Sequence, residues 1–212
     1  MPSDIDQGPA LAGLDQLDHE ALRFAAGEVT KLQEGLAELG QPGYLAAMAA
    51  AAAAVVGCIQ GGGKVLFCGN GGSAADAQHL AAELVGRQNY DRPPAAGIAL
   101  SVDTSVLTAL GNDYGYEVVF ARQVQAIGRR GDMLVGISTS GRSKNIVLAL
   151  EAAAQVGIRT IAFTGRDPRD MSGADHVLAM PADETAKIQE LQLVAGHIVF
   201  ALAERALFPR PA

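Results

Sequence analysis

The chain of 212 residues has no excess of basic residues and only two cysteines, and both shortages exclude classes of protein. Its 23 acidic residues outnumber 16 lysines and arginines, which gives a net charge of −7 and a pI of about 5.0. A nucleic-acid-binding surface is therefore not expected. Cys58 and Cys68 are too few for a disulfide framework. Cys68 ends an apolar run, so we expect a reduced, buried thiol there.

The first residues do not have the pattern of a signal peptide, and no apolar run is as long as a bilayer span. Its first twenty residues show no basic stretch followed by an apolar one, which a secretory signal would require. The longest apolar run, residues 45–59, is rich in alanine and shorter than a bilayer span. With 49% hydrophobic and 18% charged residues, the chain does not belong to the disordered class. These features predict a soluble cytoplasmic protein without membrane contact.

The chain divides into three stretches within one predicted structural domain. Residues 1–16 form an acidic lead, residues 17–61 two helices, and residues 62–212 an α/β domain. The helices, 17–40 and 43–61, are separated by the helix-breaking sequence GQPG. The second is apolar all round, which predicts burial against other helices, either between subunits of an oligomer or within its own subunit.

Five short apolar runs alternate with helical patterns in the α/β part. The runs are continuous rather than alternating, which predicts parallel strands covered on both faces. The strands are predicted at 64–68, 97–101, 132–137, 160–164 and 176–180, and the helices at 73–86, 104–127, 142–156 and 185–207. The pattern predicts a doubly wound, flavodoxin-like α/β fold with a five-stranded parallel sheet and an N-terminal helical extension.

Two loops rich in glycine and serine follow predicted strands. GNGGS (69–73) precedes a helix in which Ser73 and Asp76 fit a capping box, and STSGRS (138–143) precedes another helix. Hydroxyls ahead of a helix N-terminus can hold an oxyanion, and ligands of such folds bind beyond the carboxyl ends of strands. Neither loop has the Walker A or the G-x-G-x-x-G sequence. Each could be only a well-capped turn, but together they favour a phosphorylated small molecule.

Four residues on two predicted helices could form a metal site. His79 and Glu83 are four residues apart on one helix face, and Gln189 and His197 lie on the last helix. Such donors suit zinc with one exchangeable position. The alternatives are a surface pair for His79 and Glu83, and a core histidine for His197. The eight residues from Gln189 to His197 span about 12 Å of helix, which predicts either an irregular helix start or residues serving different copies of the site in an oligomer.

Four stretches together resemble the sugar isomerase (SIS) domain family, and more closely its phosphoheptose isomerases. They are CGNGGSAADAQHLAAELVGR, ALGNDYGYE, GISTSGRS and KIQELQLVAGHIV, and the resemblance extends from about residue 20 to residue 208. It implies a zinc-dependent homotetramer, with one zinc per subunit, that converts sedoheptulose 7-phosphate to D-glycero-D-manno-heptose 7-phosphate through an enediol, the first step of nucleotide-activated heptose synthesis. The alternatives are a non-catalytic SIS adaptor that binds the replication initiator, and an SIS isomerase or sensor for another sugar phosphate.

The resemblance also implies the roles of individual residues. The zinc ligands would be His79, Glu83, Gln189 and His197, with Glu83 and His197 also acting as the acid–base pair. The substrate contacts would be Asn70, Gly71, Gly72, Ser73, Glu83, Asn112, Asp113, Ser138, Thr139, Ser140, Ser143 and Gln189. By sequence alone, capping a helix is the favoured interpretation of Asn112 and Asp113, over holding sugar hydroxyls. At one position the chain departs from some members of the family: Ala186 stands where those members have aspartate.

Overall fold

The computed structural model describes residues 14–210, with side-chain surroundings from residue 19 onward. Most of the predicted acidic lead lies outside the described residues. The helices are α1 (Leu14–Leu39), α2 (Pro42–Gln60), α3 (Gly72–Val85), α4 (Thr104–Tyr114), α5 (Val119–Ile127), α6 (Lys144–Gln155) and α7 (Thr185–Leu207). The strands are β1 (Val65–Gly69), β2 (Gly97–Ala99), β3 (Met133–Ile137), β4 (Arg159–Thr164) and β5 (His176–Ala179). Two short 3₁₀ turns, Tyr116–Val118 and Arg169–Met171, complete the described elements.

The five strands form one parallel sheet in the order β2-β1-β3-β4-β5. Every residue of β1 and β3 is buried, as the continuous apolar runs predict. Alternate residues of β1 face opposite layers: Val65 and Phe67 pack with α2, α3 and α7, whereas Leu66 and Cys68 pack with α5 and α6. The predicted fold class, a parallel sheet with helices on both faces, is confirmed.

The alanine-rich helix α2 is partly buried within its own subunit. Its buried residues are Met48, Ala51, Ala52, Ala54, Val55 and Cys58, and the helix packs on α7 and β5. Among the described residues, one helix, α2, is both long enough and apolar enough to cross a membrane, judged by length and composition alone. The argument from length against a span therefore fails, and the absence of membrane contact stays a prediction. Leu45 and several small residues form an exposed second face.

The prediction of one continuous helix at 104–127 is wrong, because the structure has two helices separated by a 3₁₀ turn. Gly115 has φ of 91°, a conformation that residues other than glycine rarely adopt, and it ends α4 before the 3₁₀ turn and α5. Asp103 caps α4, because its carboxylate accepts from the Val106 N–H at 2.9 Å. The predicted buried thiol is confirmed: Cys68 is free and fully buried, and burial raises its pKa.

Candidate active site

The loop after β1 is held by close approaches that only glycine permits. Gly71 has φ of 56°, and α3 begins directly after it at Gly72. A Cβ on Gly72 would lie 2.6 Å from the Gln189 amide nitrogen, so this glycine lets α7 approach the start of α3. Asn70 makes a reciprocal amide pair with Asn145, with both N···O distances at 2.9 Å. This pair links the loop after β1 to the first turn of α6.

The loop after β3 gathers three hydroxyl groups ahead of α6. The Oγ atom of buried Ser138 lies 2.9 Å from Ser143 Oγ and 3.4 Å from Ser140 Oγ. Ser143 is the N-cap of α6, and its side chain does not cap the helix. Because β1 and β3 are adjacent, the two loops lie side by side at the carboxyl edge of the sheet. Their arrangement suits an anion with several oxygens.

A cleft of about 330 Å³ adjoins the hydroxyl loop on the side of β4. Thr139 and Ser140 line it together with the arginines Arg142, Arg166 and Arg169. Arg166 binds Glu38 at 2.8 Å, and Arg169 lies 3.3 Å from Asp167. Arg142 forms no ion pair within the described residues. Arg142 is therefore a candidate cation for a bound anion, one that the sequence analysis overlooked.

Three predicted metal ligands converge between α3 and α7. The ligand atoms of His79, Glu83 and His197 all lie within 4.8 Å of one another. The two Nε2 atoms are 2.7 Å apart, and His79 Nε2 lies 3.4 Å from Glu83 Oε1. The second oxygen of Glu83 is buried without a hydrogen-bond partner. Two imidazoles and a carboxylate with a spare oxygen form a donor set that fits zinc with an open position.

A glycine on α7 permits this convergence. A Cβ on Gly196, the residue before His197, would lie 2.9 Å from both methyl groups of Leu80, the residue after His79. The two helices therefore approach each other closely beside the histidines. His197 is only half-buried, so the alternative of a core histidine is not supported.

Asp76 faces the site instead of capping α3. The predicted capping box of Ser73 and Asp76 is wrong, because the N-cap is Gly71 and Ser73 lies buried inside the helix. Burial raises the pKa of the Asp76 carboxyl, and the charges of His79 and His197 oppose that shift. One Asp76 oxygen is buried without a partner. The sequence could have indicated this position of Asp76, because it lies three residues before His79 and therefore on the same helix face.

The remaining predicted residues lie at different distances from this cluster. Gln189 contacts Gly72, seven residues before His79, which corresponds to about 10 Å along α3. The helix around Gln189 is regular from Thr185 onward, so the predicted irregular start is wrong. Asn112 and Asp113 are exposed in the last turn of α4, where the Asn112 amide donates to the Asp113 carboxylate at 2.7 Å. Their roles as substrate contacts stay predictions.

Comparison with known proteins gives a consistent set of relatives. The SIS domain family model matches residues 33–165. A phosphoheptose isomerase of Akkermansia muciniphila is 56% identical over 151 residues, 71% of this chain and 80% of that relative. One from Burkholderia pseudomallei is 46% identical over 194 residues, 91% of this chain and 98% of the relative. The solved structure of a phosphoheptose isomerase from Francisella tularensis has a TM-score of 0.82 at 36% identity, covering 87% of this chain and 98% of that one.

Proposed function

Because the chain belongs to the SIS domain family, and within it to the phosphoheptose isomerases, we propose that it converts sedoheptulose 7-phosphate to D-glycero-D-manno-heptose 7-phosphate. The observation that carries this proposal is the convergence of His79, Glu83 and His197 between α3 and α7. A non-catalytic SIS adaptor would not need this set of acid–base groups. The product would enter nucleotide-activated heptose synthesis.

The two ends of the substrate would occupy different parts of the site. Ser138, Thr139, Ser140 and Ser143 would bind the phosphate, with Asn70, Gly71, Gly72 and Ser73 beside them. The start of α3 lies about 10 Å along the helix from His79. A seven-carbon sugar carries its phosphate and its reacting carbons at opposite ends, so this separation supports a phosphate at the loops and C1 and C2 at the cluster.

Glu83 and His197 would move the protons. Aldose–ketose isomerisation takes a proton from one carbon and returns it to the neighbouring carbon, while a second proton moves between the oxygens. The unpartnered Glu83 oxygen supports its role as the base at carbon. His197, which contacts His79 across the cluster, would act as the acid at oxygen.

His79, Glu83 and His197 would hold one zinc ion per subunit, and their donor types support that assignment. When bound, zinc supplies a positive charge that stabilises negative charge developing on the substrate oxygens. Gln189 would contact the substrate, because its amide lies against the loop at Gly72. It lies about 10 Å along the helices from His79, so as a zinc ligand it would serve the site of a neighbouring subunit.

The oligomer is part of the proposal. A homotetramer in the cytoplasm would cover the exposed face of α2, which carries Leu45 and small residues that allow close helix packing. His79, Glu83 and His197 converge within one chain, so this cluster does not need a second copy. Neighbouring subunits would then contribute substrate contacts and, as a further ligand, Gln189.

The test is an isomerase assay with sedoheptulose 7-phosphate, together with zinc analysis of the purified protein. We expect about one zinc per chain and loss of activity on chelation. His79→Ala should lose metal and activity together, and Gln189→Ala should weaken zinc binding less while raising KM. His19→Ala, which changes an exposed histidine on α1, is the matched control and should change neither. Full activity of metal-free protein would contradict the zinc assignment, and inactivity on this sugar would contradict the substrate.

A further inference from the structure

Helices α3 and α7 run side by side in the same direction. Gly72 meets Gln189 near their first turns, His79 meets His197 two turns later, and the segment after α3 then meets Glu204. This segment, residues 86–96, connects α3 to β2. Its contacts with Glu204 lie two helical turns beyond His197 on α7. At the C-terminal ends of α3 and α7, the site is therefore bordered by this chain segment rather than by direct packing of the two helices.

Glu204 holds this segment through a fully satisfied, buried carboxylate. One oxygen accepts from the Gln88 N–H at 2.9 Å and from Arg92 Nε at 3.1 Å. The other accepts from the Asn89 N–H at 2.9 Å and from the Asn89 side-chain amide at 3.1 Å. The side chains of Arg92 and Glu204 are 3% and 2% exposed, so the ion pair is shielded from water. A pair this well buried and bonded fixes both partners in one geometry.

Arg92 passes this constraint to Glu83. Its two terminal nitrogens donate to the backbone carbonyls of Glu83, at 2.6 Å, and Leu84, at 2.7 Å. These carbonyls belong to the last turn of α3, where the helix itself leaves acceptors free. One planar guanidinium thus joins Glu204 on α7 to the backbone of Glu83 on α3.

Gln88 supplies a second link, to His197. Its side-chain amide donates to the His197 carbonyl at 2.9 Å, and its own backbone N–H binds Glu204. Both residues proposed to move protons are thereby held, at their main-chain atoms, by the same short segment.

We propose that Arg92 is a positioning residue that sets the spacing between Glu83 and His197, and through it the metal affinity of the cluster. This inference rests on the proposed function of that cluster as a metal site. Arg92 does not touch the reacting atoms. Groups that orient metal ligands in this way typically change metal affinity or activity by about 10- to 100-fold when altered.

The experiment measures zinc affinity by competition with a chromophoric chelator, and the absorption spectrum of the cobalt-substituted protein as a readout of ligand geometry. Arg92→Lys keeps the charge but cannot bind Glu204 and both carbonyls at once. Arg92→Met combined with Glu204→Met removes both buried charges. Because no unpaired charge is left in this double variant, it can still be measured if Arg92→Lys fails to fold. Asp132→Asn is the matched control, because Asp132 is a buried carboxylate bonded to two backbone N–H groups and one cation elsewhere.

We expect both changes at Arg92 to weaken zinc binding by about 10-fold or more, to shift the cobalt spectrum, and to lower kcat more than they raise KM. Asp132→Asn should leave zinc affinity and spectrum unchanged. Wild-type zinc affinity and spectrum in both Arg92 variants would overturn the proposal. An equal loss of zinc affinity in Asp132→Asn would also overturn the proposal, because the loss would then result from lower stability of the whole protein. Wild-type protein and His79→Ala report on the proposed function alone, so the two failures are distinguishable.

Discussion

Two carboxylates, Asp132 and Glu204, are buried in nearly the same chemical surroundings but act on different parts of the molecule. Asp132 accepts from the Lys64 and Arg129 N–H groups and from the Lys64 ammonium, which ties the residues before β1 and β3 together. Glu204 accepts from two backbone N–H groups and from Arg92, which borders the proposed metal ligands. The same arrangement therefore fixes the sheet in one place and the candidate site in the other. The chemistry of a buried ion pair does not reveal its role; the atoms tied to it do.

A third carboxylate gives the sharpest contrast and the largest expected effect. Glu83 has a buried oxygen without a partner, whereas Asp132 and Glu204 have both oxygens bonded. Glu83→Gln should lower turnover by about 10²- to 10⁴-fold, the usual contribution of a general base, and should leave the free energy of unfolding nearly unchanged. Asp132→Asn should do the reverse. Steady-state kinetics and urea unfolding measure the two effects, and near-normal turnover of Glu83→Gln would contradict its role as base.

The next effect concerns the two cations. The side chain of Arg92 is 3% exposed and that of Lys64 is 22% exposed, so Arg92 belongs to the ion pair that is more completely shielded from water. Arg92→Ala should destabilise the protein by about 3–5 kcal/mol. Lys64→Ala should destabilise the protein less, by about 1–3 kcal/mol, because Lys64 itself is partly exposed and its ion pair is less completely shielded from water. Urea unfolding of both variants decides the order, and the reverse order would show that exposure is not the controlling quantity.

A smaller effect is expected in the hydroxyl loop, where neither carboxylate acts. Ser140 is exposed and its hydroxyl accepts from the Arg142 N–H at 3.2 Å, so it is available to a phosphate. Ser140→Ala should weaken substrate binding by about 1.5–3 kcal/mol, the range for a hydrogen bond to a charged group. Ser105→Ala, at an exposed serine on α4, is the control. An unchanged KM in Ser140→Ala would remove this residue from the phosphate site.

Acidification should reduce the stabilisation that the Asp132 and Glu204 carboxylates provide. Burial alone would raise the pKa of each group, but hydrogen bonds outweigh it, so Asp132 stays below its ordinary pKa of 3.8 and Glu204 below 4.5. A lowered folded-state pKa stabilises the protein above the unfolded pKa, and the stabilisation is lost as pH falls through the folded pKa. The free energy of unfolding should therefore fall below about pH 4.5, and less steeply in Asp132→Asn and Glu204→Gln. Equal slopes in all three proteins would contradict the shifts.

The sequence predicts the sheet well because both faces of its central strands are buried. The runs around Val65 and Met133 are apolar at every position, and this pattern is local. The break at Gly115 was missed, because the residues on either side are compatible with one long helix, and only φ of 91° reveals the turn. The capping box at Ser73 failed for a similar reason, since the helix begins after a glycine with positive φ.

The candidate site is predicted in part. His79 and Glu83 carry a local signal, their four-residue spacing, whereas His197 was placed with them by its apolar surroundings and by the family resemblance. Arg92 and Glu204 are 112 residues apart, and nothing in the local sequence of either links them. Such a pair becomes visible only when the packing of α7 against the segment after α3 is known.

The reciprocal pair of Asn70 and Asn145 has a consequence for how this sequence can change over time. Each amide both donates to and accepts from the other, so replacing either one removes both hydrogen bonds and leaves the partner's groups unmatched. The two positions are 75 residues apart, yet we expect a substitution at one to be accompanied by a change at the other. The two positions are therefore expected to change together, and the loops after β1 and β3 to diverge together rather than independently.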